Sequence, residues 1–366
     1  MTTIEWTDAT WNPLVGCSRV SRGCEHCYAE RVAHRGMSPQ HKGLTIMGKH
    51  GPRWTGEVRF LPERLGEPLR WRKPRRVFVN SMSDLFHEGV SNEQIAAVFG
   101  VMAACPQHTF QVLTKRPERA REWFAWAEKL VAGYDLLRDG MPSALLTCAW
   151  EMCTSEAWEV ELGDEWITPD AAIFGATWPL PNVWLGVSVE DQATADERIP
   201  LLLECPAAVR WVSYEPALGP VDFRYLQPKD PPVEIDALRG THGVLRPHGG
   251  TNERLDWIVI GGESGPGARP FDLAWARSTI AQCREASVPC FVKQLGARPI
   301  DSALRDVWCN GEHHYTRAPN DLLVAEAERH PSYRVTPHDL SRLLRDRKGG
   351  DMNEWPGELR VREWAR

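Results

Sequence analysis

Short apolar runs alternate with longer amphipathic stretches along most of this chain. Arg76-Val-Phe-Val-Asn80, Thr109-Phe-Gln-Val-Leu-Thr114, Val183-Trp-Leu-Gly-Val-Ser-Val189, Val209-Arg-Trp-Val-Ser213, Asp256-Trp-Ile-Val-Ile-Gly261 and Pro289-Cys-Phe-Val-Lys293 are each strand-length and mostly apolar. Such runs mark buried strands rather than half-exposed ones. Helical stretches lie between them. Ser91 to Ala104 has Ser91 or Asn92 as N-cap and Glu93 in its first turn, and Pro117 to Leu130 opens on proline. Gln192 to Glu204 and Leu273 to Ala286 complete the set, with a short helix expected from Tyr28 to Arg35 after a first strand and a cysteine loop.

Strands alternating with helices imply parallel pairing and right-handed crossovers. Six or seven such units predict an α/β fold, a partial or complete parallel β/α (TIM-like) barrel over residues 1–300. A doubly wound sheet is the alternative, because strand order is not written in one sequence. Two stretches break the rhythm and read as insertions. Residues 134–181 are acidic and carry Trp150, Trp158, Trp166 and Trp178 with Cys148 and Cys153. Residues 221–254 are rich in proline, glycine and charge. Residues 301–366 read as a charged, irregular C-terminal extension packing on the barrel, with a helix around Pro337 to Arg345.

Composition narrows the class. The 366 residues are 42% hydrophobic and 25% charged, an ordinary globular profile. No apolar run is long enough to span a bilayer, and the first residues form no secretory signal. With ten cysteines, three of them clustered, a cytoplasmic setting is expected and no membrane partner. The net charge of −6 argues against general nucleic-acid binding, but residues 1–80 hold 14 Lys/Arg against 7 Asp/Glu. Arg70, Arg72, Lys73, Arg75 and Arg76 crowd around Trp71. They read either as a solvated loop or as a cationic patch near the site's mouth that holds the phosphates of a nucleic acid.

The densest chemistry is Trp11-Asn-Pro-Leu-Val-Gly-Cys17-Ser-Arg-Val-Ser-Arg-Gly-Cys24-Glu-His-Cys27-Tyr28. Cys17, Cys24 and Cys27 are spaced C-x6-C-x2-C. A C-x2-C turn brings two sulfurs round to one centre, and the third stands on the same loop. With no fourth ligand at finger spacing, the trio suits an open site, of which a four-iron cluster is one form, better than a closed structural zinc. Zinc with His26, His34 or a distant donor as fourth ligand stays open as an alternative.

Barrel chemistry gathers where strands end. Past the strands stand Asn80-Ser81-Met-Ser83-Asp84, Lys115-Arg116, Ser188-Val-Glu190, Tyr214-Glu215, Gly261-Gly262-Glu263 and Lys293-Gln294. Every strand ends in polar or ionisable residues, which predicts one convergent polar pocket. Glu190 and Glu215 fit acid–base work or ribose hydroxyls, or else structural pairing with Lys115, Arg116 or Lys293. Gly261 and Gly262 allow close ligand approach or simply make a tight turn.

The three-cysteine loop after a first strand, with an aromatic beside its last cysteine, resembles that of radical S-adenosylmethionine (SAM) enzymes. Their usual spacing is C-x3-C-x2-C; here the first gap is three residues longer, and Tyr28 follows the third cysteine. Trp6-Thr-Asp-Ala-Thr-Trp-Asn-Pro13, Cys24-Glu-His-Cys-Tyr-Ala29, Asn80-Ser-Met-Ser-Asp-Leu-Phe86, Gly261-Gly-Glu-Ser-Gly265 and Gly349-Gly-Asp-Met-Asn-Glu-Trp355 more closely resemble the phage-associated three-cysteine-motif proteins, a family of unknown function. The nearest characterised relative by resemblance is spore photoproduct lyase. The resemblance implies a [4Fe-4S] cluster on Cys17, Cys24 and Cys27, SAM, and an external electron donor. Asn80, Ser81, Ser83, Asp84, Lys115, Ser188, Gly261, Gly262 and Glu263 would then bind cofactor, and Glu190, Glu215 and Lys293 would act on a nucleic acid or nucleotide-derived substrate. Lyase and transferase are not separated. The competing expectation is a metal-binding accessory protein in phage–host conflict, with zinc or a structural cluster and no radical chemistry.

Overall fold

The computed structural model describes residues 4–36, 38–49, 51–131, 140–152, 160–162, 165–167, 177–229, 233–242, 253–309, 312–317, 334–341 and 344–365. Seven strands form the principal sheet: β1 (Ala9–Trp11), β2 (Arg76–Val79), β3 (Thr109–Thr114), β4 (Val183–Val189), β5 (Val209–Tyr214), β6 (Trp257–Gly261) and β7 (Cys290–Gln294). Their order in the sheet is the order in the chain, and the sheet is parallel. A doubly wound sheet would reverse direction at a switch point; here it does not. The fold is a partial parallel β/α barrel. Among the described residues the longer helices between its strands are α1 (Tyr28–His34), α2 (Asn92–Ala103), α3 (Pro117–Val131), α4 (Gly140–Met152), α5 (Gln192–Leu203) and α6 (Leu273–Ala286).

The chain divides into two compact units. The first holds 1–188, 197–212 and 248–255, the second 189–196, 213–247 and 256–366. In the first, Thr10 pairs with Phe78, Phe78 with Gln111, and Gln111 with Trp184. Trp11, Val77, Phe110, Val112, Leu185 and Val187 are buried along these strands. Ser91 caps α2 with a full capping box: its hydroxyl accepts from the Gln94 N–H, and the Gln94 side chain accepts from the Ser91 N–H.

The segment expected to be an insertion from 134 contributes α4 to the core. Met141, Leu145, Leu146 and Ala149 of α4 are buried, and a Cβ on Gly100 of α2 would lie 2.2 Å from the Leu145 carbonyl oxygen. Cys153 and Trp158 lie outside the described residues, as do 230–232 and 243–252 of the second insertion.

In the second unit the C-terminal segment is built of strands. β8 (Pro299–Cys309) pairs antiparallel with β9 (Glu312–Arg317) and β10 (Arg334–Asp339). The helix expected around Pro337 is therefore corrected: Pro337 to Asp339 belong to β10, and Arg345 lies in a turn region. Further on, the chain runs beside β7. Val292 N–H donates to Val361 O at 2.8 Å, Glu363 N–H to Cys290 O at 2.9 Å, and the Trp257 indole to Glu363 O at 2.8 Å.

Candidate functional site

The cysteine loop begins where β1 ends. Leu14–Val15 pairs antiparallel with Arg59–Phe60, and the Gly16 N–H donates to Met82 O at 3.1 Å, joining the loop to the chain just past β2. Gly16 has φ +96°, and a Cβ there would sit 2.2 Å from the Glu57 carbonyl oxygen. Only glycine fits, so Cys17 is delivered from a fixed point. Cys27 sits immediately before α1. Cys17 and Cys27 pack against a buried cluster that includes Val15, Ala29, Ala33 and Met82, and all three thiols are half-buried and free of disulfides. Burial pushes the Cys17 thiol up to about 12, with the Asp84 carboxylate adding to the rise and the Arg116 guanidinium opposing it. Burial also raises Cys27, against hydrogen bonds from the backbone of Glu30 and Ala29. Among the described residues no group of three or more His, Cys, Asp and Glu side chains is placed to hold one metal ion.

Arg116, just past β3, organises the loop. It donates to Ser18 Oγ at 2.7 Å, to Ser18 O at 3.1 Å and to Cys17 Sγ at 3.8 Å. It also pairs with Asp84 at 3.2 Å and Glu88 at 3.1 Å. Asp84 is saturated: Oδ1 accepts from Thr114 Oγ1 (2.8 Å) and Phe86 N (3.0 Å), and Oδ2 from Lys115 N (3.0 Å) and Arg116. Gly89 N–H donates to His87 Nδ1 at 3.0 Å. This places the imidazole proton on Nε2, which donates to Ser18 Oγ at 2.9 Å. Burial, with Arg116 nearby, holds His87 below its ordinary range, so the ring serves as a neutral donor.

The strand-end residues divide by task. Ser81 Oγ and Met82 N–H both donate to Asn12 Oδ1, at 3.1 and 3.0 Å. Ser83 Oγ donates to Leu14 O at 3.1 Å, so both serines brace the loop. Lys115 Nζ donates to Ser188 Oγ at 2.7 Å, joining two residues expected in one pocket. Asn80 differs. It is 3% exposed, its φ is +61°, and neither Oδ1 nor Nδ2 has a hydrogen-bond partner. Buried amides are normally satisfied, so this orphaned one in a left-handed backbone sets Asn80 apart from the other strand-end residues.

In the second unit Lys293 Nζ pairs with both oxygens of Glu215, at 2.7 and 3.0 Å. Gln294 Nε2 bridges Glu215 Oε1 (3.3 Å) and Gly262 O (2.9 Å). Glu263 is taken up by Arg269 through the backbone N–H, Nε and a terminal nitrogen, at 2.9, 3.1 and 2.8 Å. A Cβ on Gly262 would lie 2.4 Å from Leu295 O, so packing explains that glycine. Gly261 meets only ordinary contacts, among them Glu215 Oε1 at 3.5 Å. Glu190 is buried; its N–H donates to Thr194 Oγ1 and its carbonyl accepts from the Leu218 N–H.

A family profile matches residues 1–350, that of DUF5131, described as proteins of unknown function. The chain belongs to the DUF5131 family. No curated protein and no solved structure matches it.

In this DUF5131 chain the parts played by Asn12, Ser18, His87, Glu88 and Arg116 are not visible in the sequence. None carries a local signal. Arg116 stands 99 positions from Cys17, and only the parallel order of β1, β2 and β3 brings them together. Of the two readings of the basic run before β2, its position fits the solvated loop rather than a patch at the site's mouth, and Arg70, Arg72, Lys73 and Arg75 are exposed. Arg70 to Arg75 precede β2, at the opposite end of that strand from Asn80 and the cysteine loop. Arg75 lies over Trp71 at 5.3 Å, and Arg76 is paired with Asp8 at 3.0 Å.

Proposed function

We propose that this protein is an iron–sulfur, SAM-dependent radical enzyme acting on a nucleic acid or nucleotide-derived substrate. The observation that carries the reading is a pairing. Three half-buried thiols on one loop end β1, and the buried, unpartnered Asn80 amide ends β2, the neighbouring strand. The thiol set fits a [4Fe-4S] group. Each thiolate takes its own iron, so the sulfurs need not meet at one point as they would on a single zinc ion. Cys17, Cys24 and Cys27 would hold the cluster, leaving one iron open to the amino and carboxylate groups of SAM. Bound together and fed by an external donor, cluster and SAM would supply one-electron cleavage of the sulfonium and hydrogen-atom abstraction.

The chain's own residues do the rest. Arg116 fixes Cys17 and Ser18 and offsets the negative charge of thiolates in a half-buried site. Asn80 offers one donor and one acceptor side by side to SAM or substrate. Lys115 and Ser188 present a cation and a hydroxyl. In the second unit Lys293 and Glu215 form a hydrogen-bonded ion pair suited to substrate binding or acid–base work.

The test is anaerobic reconstitution with iron and sulfide, followed by analysis of bound metal. Four irons and four sulfides per chain are expected, with loss of the cluster in the Cys24→Ala variant. Stoichiometric zinc with no iron uptake would overturn the reading in favour of a zinc-bearing accessory protein.

A further inference from the structure

Six large hydrophobic side chains are exposed among the described residues, and four of them, Val20, Tyr28, Ile46 and Met47, belong to one stretch of 28 residues. Single exposed hydrophobics need no explanation, but a group of them does. The group borders the cysteine loop. Tyr28 directly follows Cys27. Its hydroxyl donates to Ser81 O at 2.7 Å while the residue stays 54% exposed. The ring is thus an aromatic plane held in place at the surface.

Ile46 and Met47 (65% exposed) sit on a hairpin, Thr45–Gly48 paired with Gly51–Trp54, in which Ile46 lies opposite Arg53. Directly opposed residues share a face. The hairpin is tied to the loop through the buried Glu30 of α1. That carboxylate accepts from Trp54 N at 3.0 Å and from Arg19 at 2.9 and 2.6 Å. Trp54 itself is buried with Ala29, Ala33 and Leu44. Hairpin, helix and cysteine loop therefore form one indexed piece.

Its charge is one-sided. Residues 19–59 hold eight Lys/Arg and three Asp/Glu, and two of those acids, Glu30 and Glu57, are engaged by Arg19 and Arg59. Arg22, Arg35, Lys42, Lys49 and Arg53 are exposed. A fixed aromatic plane, apolar side chains and a surplus of cations is the chemistry that grips a polyanion whose bases are unstacked.

We infer that the surface bordering the cysteine loop, with Tyr28 at the start of α1, Ile46 and Arg53 on one face of the hairpin and Lys49 at its turn, docks single-stranded nucleic acid and delivers it to the cysteine loop. The inference names the partner of the site proposed above and rests on that reading. The basic run at Arg70 to Arg75 is not this surface, because it stands at the far end of β2 from the loop.

The test is fluorescence anisotropy of the full-length protein with a labelled mixed-sequence 20-nucleotide DNA strand, its duplex, and a salt titration. The single strand should bind more tightly than the duplex, with a log–log salt slope of about −0.7 for each phosphate contacted. Lys49→Glu with Arg53→Glu should weaken binding about tenfold or more, and Tyr28→Leu should weaken it without changing the salt slope. Arg72→Glu with Lys73→Glu should leave it within about twofold. No binding, a preference for duplex, or dependence on Arg72 and Lys73 instead of Lys49 and Arg53 would overturn the inference. Iron analysis on the same preparations separates the two readings. Binding without a cluster counts against the radical reading alone, and a cluster without binding counts against the docking face alone.

Discussion

Arg116 ties Cys17 and Ser18 of the cysteine loop to Asp84 and Glu88 past β2. Its guanidinium and the Asp84 carboxylate are 9% and 8% exposed, so the pair has given up most of its hydration. Removing one partner of such a pair costs about 3–5 kcal/mol, because a charge is left buried and uncompensated. An exposed pair such as Arg121–Glu204 is worth about 0–1 kcal/mol. Arg116→Met is expected to lower stability by about 3–5 kcal/mol in urea unfolding, whereas Arg121→Met should barely move the midpoint. Arg116→Lys should fall between, since lysine keeps the charge but cannot span Ser18, Asp84 and Glu88 with one planar fork. Equal midpoints for Arg116→Met and the native chain would contradict this role. None of it is legible in the sequence, where Arg116 is one of two cations after a strand. Asn80 is half legible. Its place after an apolar run is visible in the chain, but its left-handed backbone and empty hydrogen-bonding positions exist only in the fold.

At the scale of elements, the contact of α2 with α4 turns on Gly100. Helix propensity alone makes Gly100→Ala stabilising by about 0.8–1 kcal/mol. A new Cβ 2.2 Å from the Leu145 carbonyl oxygen meets backbone that cannot rotate away, and overpacking of this kind costs about 1–3 kcal/mol. The clash is expected to win: Gly100→Ala should lower the thermal midpoint, and a raised midpoint would show that α4 gives way freely. The sheet strands were readable because buried parallel strands are apolar on both faces, so Val77-Phe-Val79 and Trp257 to Ile260 stand out from their surroundings. Helix α4 was hidden inside an acidic, tryptophan-rich stretch whose overall character masked the apolar face of Met141, Leu145 and Ala149. β8 and β10 were hidden by charge: Asp301, Arg305, Asp306 and Pro337 make poor strand signals, and here pairing with neighbours overrides them.

For the whole molecule, parallel strands in chain order put the residues after β1, β2, β3 and β4 at the same end of the sheet. This is why Cys17, Asp84, Arg116, Lys115 and Ser188 come within reach of one another despite their separation in sequence. It also explains why the positive first 80 residues divide into two sets. One surrounds the cysteine loop and the hairpin; the other precedes β2 at the opposite end of that strand. The proposed docking of single-stranded nucleic acid uses the first set and not the second. The family assignment, over residues 1–350, covers the sheet and the cysteine loop together. On the proposed reading this loop carries a redox cluster with an iron open to SAM. It is tested most directly by the electron paramagnetic resonance spectrum of the reconstituted, dithionite-reduced protein, with and without SAM. An S = ½ cluster signal is expected that shifts when SAM is added, vanishes in Cys24→Ala, and keeps its SAM-free shape but loses the shift in Asn80→Leu. A cluster signal indifferent to SAM, or no cluster signal at all, would contradict it.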